Sequence, residues 1–217
     1  MNILVFAPHN DDEVLGAGGT IAKYAKAGHD VHICEVTSGP DPEKVEALKQ
    51  EARAAHAVLG VKDASFLELP MVGLRHTPTI EINAKFHEVV TRVNPEIVLL
   101  PHKGDMNFDH AETTYAAMVA LRPFNVPELR EILVYETLSE TEWNTPTADN
   151  VFVPNVYVDI SGTIDQKLEA MECYRSQLKD YPHPRSLEAI RALSMVRGTT
   201  ICVEHAESFM LIRSIKR

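Results

Sequence analysis

The stretch Leu4-Val5-Phe6-Ala7-Pro8-His9-Asn10-Asp11-Asp12-Glu13 sets an apolar run against one imidazole and three consecutive carboxylates. Adjacent like charges repel, and a folded chain tolerates them best when a cation lies among them. His9 and Asp12, three positions apart where a strand-like run meets a helix-like run, suit a divalent metal. Asp11, between them, is placed to act as a base on water activated by such a metal. A second polar cluster, His102-Lys103-Gly104-Asp105-Met106-Asn107-Phe108-Asp109-His110, brings two His, two Asp and an Asn within nine residues. A catalytic zinc takes three protein ligands and keeps one position open. His9, Asp12 and one histidine of the second cluster make such a set, and spacing alone does not choose between His102 and His110. Asp109 beside His110 reads as a carboxylate orienting a ligating imidazole, or as a helix cap.

These residues need elements to bring them together. Apolar periodicity and breakers predict strands over 3–6, 31–36, 65–69, 96–100 and 132–136, with helices over 13–27, 42–59, 79–93 and 111–121. Such alternation predicts an α/β fold, a Rossmann-like three-layer sandwich with a mostly parallel sheet. Ligands of open α/β sheets bind beyond the carboxyl ends of the strands, where the strand order reverses. His9 follows the first strand and His102 follows the fourth, so the two clusters are expected at one edge. The last third reads as a strand over 156–160, a helix over 161–174 capped by Ser161, and a helix over 186–197. Residues 206–212 fit a helix or a strand equally. The proline-flanked run Asp180-Tyr181-Pro182-His183-Pro184-Arg185-Ser186 reads as an ordered loop. No repeat or linker interrupts the chain, so residues 1–217 read as one domain with a C-terminal extension.

The glycines of Gly16-Ala17-Gly18-Gly19 come after the carboxylates, and no GxGxxG follows the strand directly. They therefore point to close packing of helix on sheet, not to a nucleotide loop. A formal net charge of −10 argues against nucleic acid or an anionic membrane as the main partner. No run approaches the roughly 18 apolar residues that span a bilayer. The chain opens on a strand-like segment with no signal-peptide pattern, so a cytoplasmic protein is expected. Three cysteines are too few and too scattered for a disulfide framework. Cys34 and Cys202 read as core residues, and the methionines as packing residues. His29, His32, His56, His76, His87 and His205 read as surface or packing histidines.

The two clusters resemble known motifs. Ala-Pro-His-Asn-Asp-Asp-Glu at 7–13 resembles the HPDDE motif of the zinc-dependent de-N-acetylases, the PIG-L/LmbE superfamily. The run from Asp105 to His110 resembles that family's second motif, which ends in Asp-His. Tyr174-Arg175-Ser176-Gln177, His183-Pro184-Arg185-Ser186 and Ala206-Glu207-Ser208-Phe209 are also similar to family segments. The resemblance implies zinc held by His9, Asp12 and His110, with Asp11 as general base. The implied reaction is hydrolysis of an N-acetyl group on a glucosamine-type sugar or conjugate. It further implies a homo-oligomer, a trimer or hexamer.

Two positions depart from the family pattern. Asn10 stands where proline is usual, and Asn107 where many members carry a histidine that stabilises the oxyanion. An asparagine amide donates a hydrogen bond but no proton, so His102 or His183 is a candidate replacement. Arg75 lies near the family's substrate-binding arginine. Glu13 either supports the turn or complements the helix dipole, and Asp105 is a lesser candidate for the site. The rival readings are a metal-dependent amidohydrolase for a non-sugar acyl amide and a catalytically impaired binding homologue.

Overall fold

A computed structural model describes residues 1–216. Seven strands form one sheet: β1 (Asn2–Ala7), β2 (Asp30–Ser38), β3 (Asp63–Pro70), β4 (Ile97–Pro101), β5 (Glu131–Tyr135), β6 (Val156–Asp159) and β7 (Ala206–Ser214). Six helices flank it: α1 (Asp12–Lys26), α2 (Pro42–Leu59), α3 (Thr79–Val93), α4 (Phe108–Ala120), α5 (Ile164–Cys173) and α6 (Leu187–Ile201). The strand order is β3-β2-β1-β4-β5-β7-β6. The first five strands in this order run parallel. β7 is antiparallel to both β5 and β6.

Strand periodicity explains the two cores. In β1, Ile3 and Val5 enter one core while Leu4 and Phe6 enter the other. β4 divides the same way, Ile97 and Leu99 against Val98 and Leu100. Both faces are covered, so these strands are apolar throughout, as central parallel strands must be. Residues of α1, α2, α5 and α6 close one face, and those of α3 and α4 close the other. The order reverses between β1 and β4, which places the ends of those two strands at the switch point.

α1 carries the first polar cluster, and three devices fix it. A Cβ on Gly16 would stand 2.1 Å from Tyr135 Cδ2, and one on Gly19 would stand 2.7 Å from Ile160 Cδ1. The glycines thus bring helix and sheet together, as the sequence implied. Glu207 of β7 accepts the N–H groups of Gly19 and Thr20 at 2.9 and 2.7 Å, and Lys167 Nζ of α5 donates to it at 2.6 Å. This buried ion pair has each partner hydrogen-bonded, the condition under which such a pair is tolerated. The Pro8 carbonyl accepts both the N–H and the hydroxyl of Thr37, at 3.0 and 2.7 Å. That holds the turn before α1 without a proline at position 10.

In the C-terminal third the structure decides one open choice and departs from the sequence reading in two places. The segment that fitted either state is strand β7, held between β5 and β6. α5 starts at Ile164, not at Ser161, because the Ser161 hydroxyl donates to Asp159 at 2.6 Å. Cys202 is exposed, in the left-handed conformation that ends α6, and not in the core. Among the described residues no helix is long and apolar enough to cross a membrane.

Gly16→Ala is expected to destabilise the fold by about 1–3 kcal/mol, because the fully buried Tyr135 ring must move. Gly162→Ala, where an added Cβ meets nothing within 4 Å, should stay within about 0.5 kcal/mol of the parent. Denaturant unfolding of both variants measures the contrast.

Candidate metal centre

β1 delivers the chain to Pro8-His9-Asn10-Asp11, and α1 begins at Asp12. The Asp12 carboxylate folds back over the turn, its Oδ2 accepting the His9 N–H at 2.9 Å. His9 Nδ1 lies 3.1 Å from that oxygen, and His110 Nε2, from the first turn of α4, lies 3.2 Å from it. One ligand atom from each of His9, Asp12 and His110 falls within 4.8 Å of the others. Asp12 Oδ1 and His110 Nε2 are buried without a hydrogen-bond partner. Two imidazoles, a carboxylate and orphaned buried lone pairs fit a divalent cation of the zinc type.

Both histidines are backed by carboxylates, as metal-ligating imidazoles usually are. His110 Nδ1 lies 2.8 Å from Asp105 Oδ2, and Thr141 Oγ1 donates to the other Asp105 oxygen at 2.6 Å. This contact points His110 Nε2 at the cluster. His9 Nε2 lies 3.2 Å from Asp109 Oδ2, which also accepts the Val72 N–H at 2.5 Å. Asp109 is therefore a partner of His9, and Asn107 caps α4 by accepting the Asp109 N–H at 3.0 Å.

The electrostatics follow from burial and crowding. Burial opposes the Asp12 charge, yet His110 and His9 outweigh it and hold the carboxyl far below its usual range. Burial opposes the His9 cation as well, but Asp109 and Asp12 raise the ring to about 9. Asp11 goes the other way, pushed up to about 8 by burial and by the Asp12 charge. Arg185 works against that push: its Nη1 donates to Asp11 Oδ2 at 3.1 Å. The guanidinium is itself fixed by Ser139 Oγ at 2.8 Å and Gln177 Oε1 at 3.2 Å.

The proline-flanked loop thus reaches the centre through Arg185, not through His183. His183 Nδ1 accepts the Arg185 N–H at 3.0 Å, and its ring meets the edge of Trp143. The sequence signal is present in His183-Pro184-Arg185-Ser186, but an imidazole is the more conspicuous ligand type and masks the cation beside it. His102 does not join the centre either. Its Nε2 contacts the Asn150 carbonyl at 2.8 Å and its ring packs edge-on against Phe152, so it anchors the 137–155 segment. The choice left open by spacing falls on His110 because His110 lies on the helix while His102 turns toward this segment.

A cavity of about 480 Å³ opens beside the centre, with Arg75, Asn107, Phe108, Asp109, Glu140 and Trp143 in its wall. Arg75 stacks on Phe108, its guanidinium carbon 3.6 Å from the ring centroid, and its Nε lies 3.4 Å from Glu112. Glu140 accepts the Asn107 N–H at 3.1 Å, and burial raises its carboxyl. Met106 also lines the cavity and is 58% exposed, so it is not the packing residue expected from sequence. Glu13, Glu35 and His56 form a second buried cluster behind Asp11. The sequence makes His56 a surface or packing histidine and gives Glu35 no role, so this cluster emerges only from the fold.

The chain is similar along most of its length to known proteins. It is 25% identical over 226 residues to the diacetylchitobiose deacetylase of Thermococcus kodakarensis, covering 98% of this chain and 84% of the relative. It is 26% identical over 247 residues to the 1D-myo-inositol 2-acetamido-2-deoxy-α-D-glucopyranoside deacetylase of Mycobacterium sp. (strain JLS), covering 89% and 79%. The crystal structure of a conserved protein from Thermus thermophilus superposes with a TM-score of 0.80 at 29% identity, covering 100% of this chain and 97% of that one. Residues 4–121, from β1 through α4 and so including both histidine clusters, match the family model described as PIG-L: GlcNAc-PI de-N-acetylase, and the chain belongs to that family.

Proposed function

We propose that this chain is a zinc-dependent hydrolase that removes the N-acetyl group from an N-acetylglucosamine-type sugar or sugar conjugate. The observation that carries the reading is the convergence of His9, Asp12 and His110 at the switch point, with buried lone pairs unmatched and Asp11 alongside. Family membership supports it, as do two relatives named as deacetylases of acetamido sugars. In this reading residues 1–217 work as one deacetylase domain, in a cytoplasmic homo-oligomer.

His9, Asp12 and His110 are the residues that would hold zinc, with Asp105 and Asp109 fixing the two rings. Bound there, zinc supplies Lewis acidity that polarises an acyl carbonyl and lowers the pKa of water. Asp11 takes the proton from the attacking water and returns it to the leaving amine. Arg185 orients that carboxyl and favours its ionised form, partly offsetting burial and the Asp12 charge. Asn107 donates a hydrogen bond but no proton, so proton delivery rests on Asp11. Trp143, Phe108 and Arg75 offer apolar and stacking surface for the sugar and its conjugate.

Acetate release from N,N'-diacetylchitobiose by the purified zinc-loaded chain tests the reading, and a chelator should abolish it. Acetate release that persists without metal would refute it, and turnover of simple acyl amides alone would favour the non-sugar amidohydrolase. Asp11→Asn should lower kcat by about 10²–10⁴. Arg185→Ala removes a charge-assisted hydrogen bond and should lower kcat about tenfold to a hundredfold. Asp105→Asn should weaken zinc binding about tenfold to a hundredfold, measured by competition with a chromogenic chelator.

A further inference from the structure

The three members of the buried cluster behind Asp11 come from α1 (Glu13), β2 (Glu35) and α2 (His56), and their residual exposures are 0, 1 and 5%. His56 Nε2 stands 3.3 Å from Glu13 Oε1 and 3.2 Å from Glu35 Oε1. Tyr174 donates its hydroxyl to Glu13 Oε1 at 2.6 Å. The other Glu13 oxygen, Oε2, accepts the N–H of Asp11 at 3.1 Å. Among the described residues neither Glu35 carboxylate oxygen nor either His56 ring nitrogen has a hydrogen-bond partner of good geometry, so Glu35 and His56 meet as an ionic contact at 3.2 Å.

Burying two carboxylates and an imidazole costs more than an apolar trio of the same volume would. Packing alone therefore does not account for the cluster. A complement to the helix dipole does not account for it either, because an exposed Glu13 would serve as well. What the cluster touches is the backbone of Asp11. That residue has φ 125° and ψ −24°, outside the regions favoured by side-chain-bearing residues. Such a conformation persists only where the surroundings hold it. Arg185 grips the Asp11 side chain, and Glu13 grips its N–H. Burial disfavours charge on His56, but the Glu13 and Glu35 carboxylates outweigh it and raise the ring to about 10, while burial beside Glu13 pushes Glu35 up in turn.

We propose that Glu35 and His56 are positioning residues for the reaction: they pin Glu13, which with Tyr174 holds the Asp11 backbone in the conformation that aims its carboxylate at the metal centre. The relay rests on the reading of Asp11 as the base. A second cation is the competing occupant, since the three ligand atoms lie within 4.8 Å of one another. The hydrogen bonds favour the relay, because both Glu13 oxygens are already engaged by Tyr174 and Asp11.

The test uses the full zinc-loaded chain with Glu35→Leu, Glu35→Gln, His56→Leu and Tyr174→Phe. For deacetylation of N,N'-diacetylchitobiose, the two Leu variants should lose about tenfold in kcat as the buried ionic contact that braces Glu13 is lost. KM and a content of one zinc per chain should not change. Glu35→Gln keeps an acceptor for the ring and should recover to within about threefold of the parent. Tyr174→Phe removes only a hydroxyl and should lower kcat a few-fold, so the relay stays testable if the Leu variants do not fold. Unchanged kcat in these variants overturns the relay. Two zinc ions per parent chain, one of them lost in His56→Leu, overturns it in favour of a metal site. A crystal structure of zinc-loaded His56→Leu reads the relay without activity: Asp11 should leave its positive φ, and a retained Glu13 to Asp11 hydrogen bond refutes it. A parent chain inactive on the sugar while that structure shows the shift would count against the deacetylase reading alone.

Discussion

Three consecutive carboxylates are buried where β1 turns into α1, and the surrounding structure is organised to keep them from repelling one another. Each is given a different partner. Asp12 faces His9 and His110, Asp11 faces Arg185, and Glu13 faces His56. The partners arrive from α4, the loop before α6, and α2, so distant segments are required at one point. The positive end of the α1 dipole contributes to the same balance. The division is unequal, because the Asp12 charge still pushes the Asp11 carboxyl up against the pull of Arg185. The differences in titration between Asp11 and Asp12, neighbours in sequence, follow from this division.

The parallel part of the sheet makes the convergence possible. β1 and β4 are adjacent and parallel, so their carboxyl ends open on the same edge, and the reversal of strand order between them opens a crevice there. The C-terminal strands serve a different purpose. β7 supplies Glu207, which seizes the backbone of α1 at Gly19 and Thr20 and so fixes the helix whose first turn carries the carboxylates. Of the segments similar to the family's C-terminal motifs, Glu207 acts at a distance from the centre, whereas Arg185 touches Asp11 and Gln177 and Tyr174 brace the groups that do.

Much of this was legible in the sequence, and the exceptions have physical reasons. The first motif, the parallel order and the role of the glycines in α1 depend on local pattern, and β1 to α4 follow it closely. Residues 206–212 did not declare themselves because polar Glu207 and Ser208 are buried while apolar Leu211 and Ile212 are exposed, which breaks the alternation that marks a strand. Ser161 misled because a serine hydroxyl serves a local turn as readily as a helix N–H. Arg185, Glu35 and His56 are tertiary partners of residues far away in the chain. Nothing in their own neighbourhoods marks them, and only the charge left over in the first motif signals that such partners must exist.

The cavity walls hang from the same carboxylates that back the two histidines. Val72 and Leu74 are held by Asp109, which touches His9. The segment bearing Trp143 is held by Thr141 on Asp105, which touches His110, and by Asn144 on the carbonyls of Gly104 and Asp105. Metal coordination and cavity shape are therefore not separable variables. Whatever firms the histidines firms the walls, and by thermodynamic reciprocity a molecule that braces the walls strengthens the hold on the metal by the same factor. Divergence in ligand preference within such a scaffold is then constrained: a wall can change its outward side chains freely, but not the inward contacts by which it is suspended.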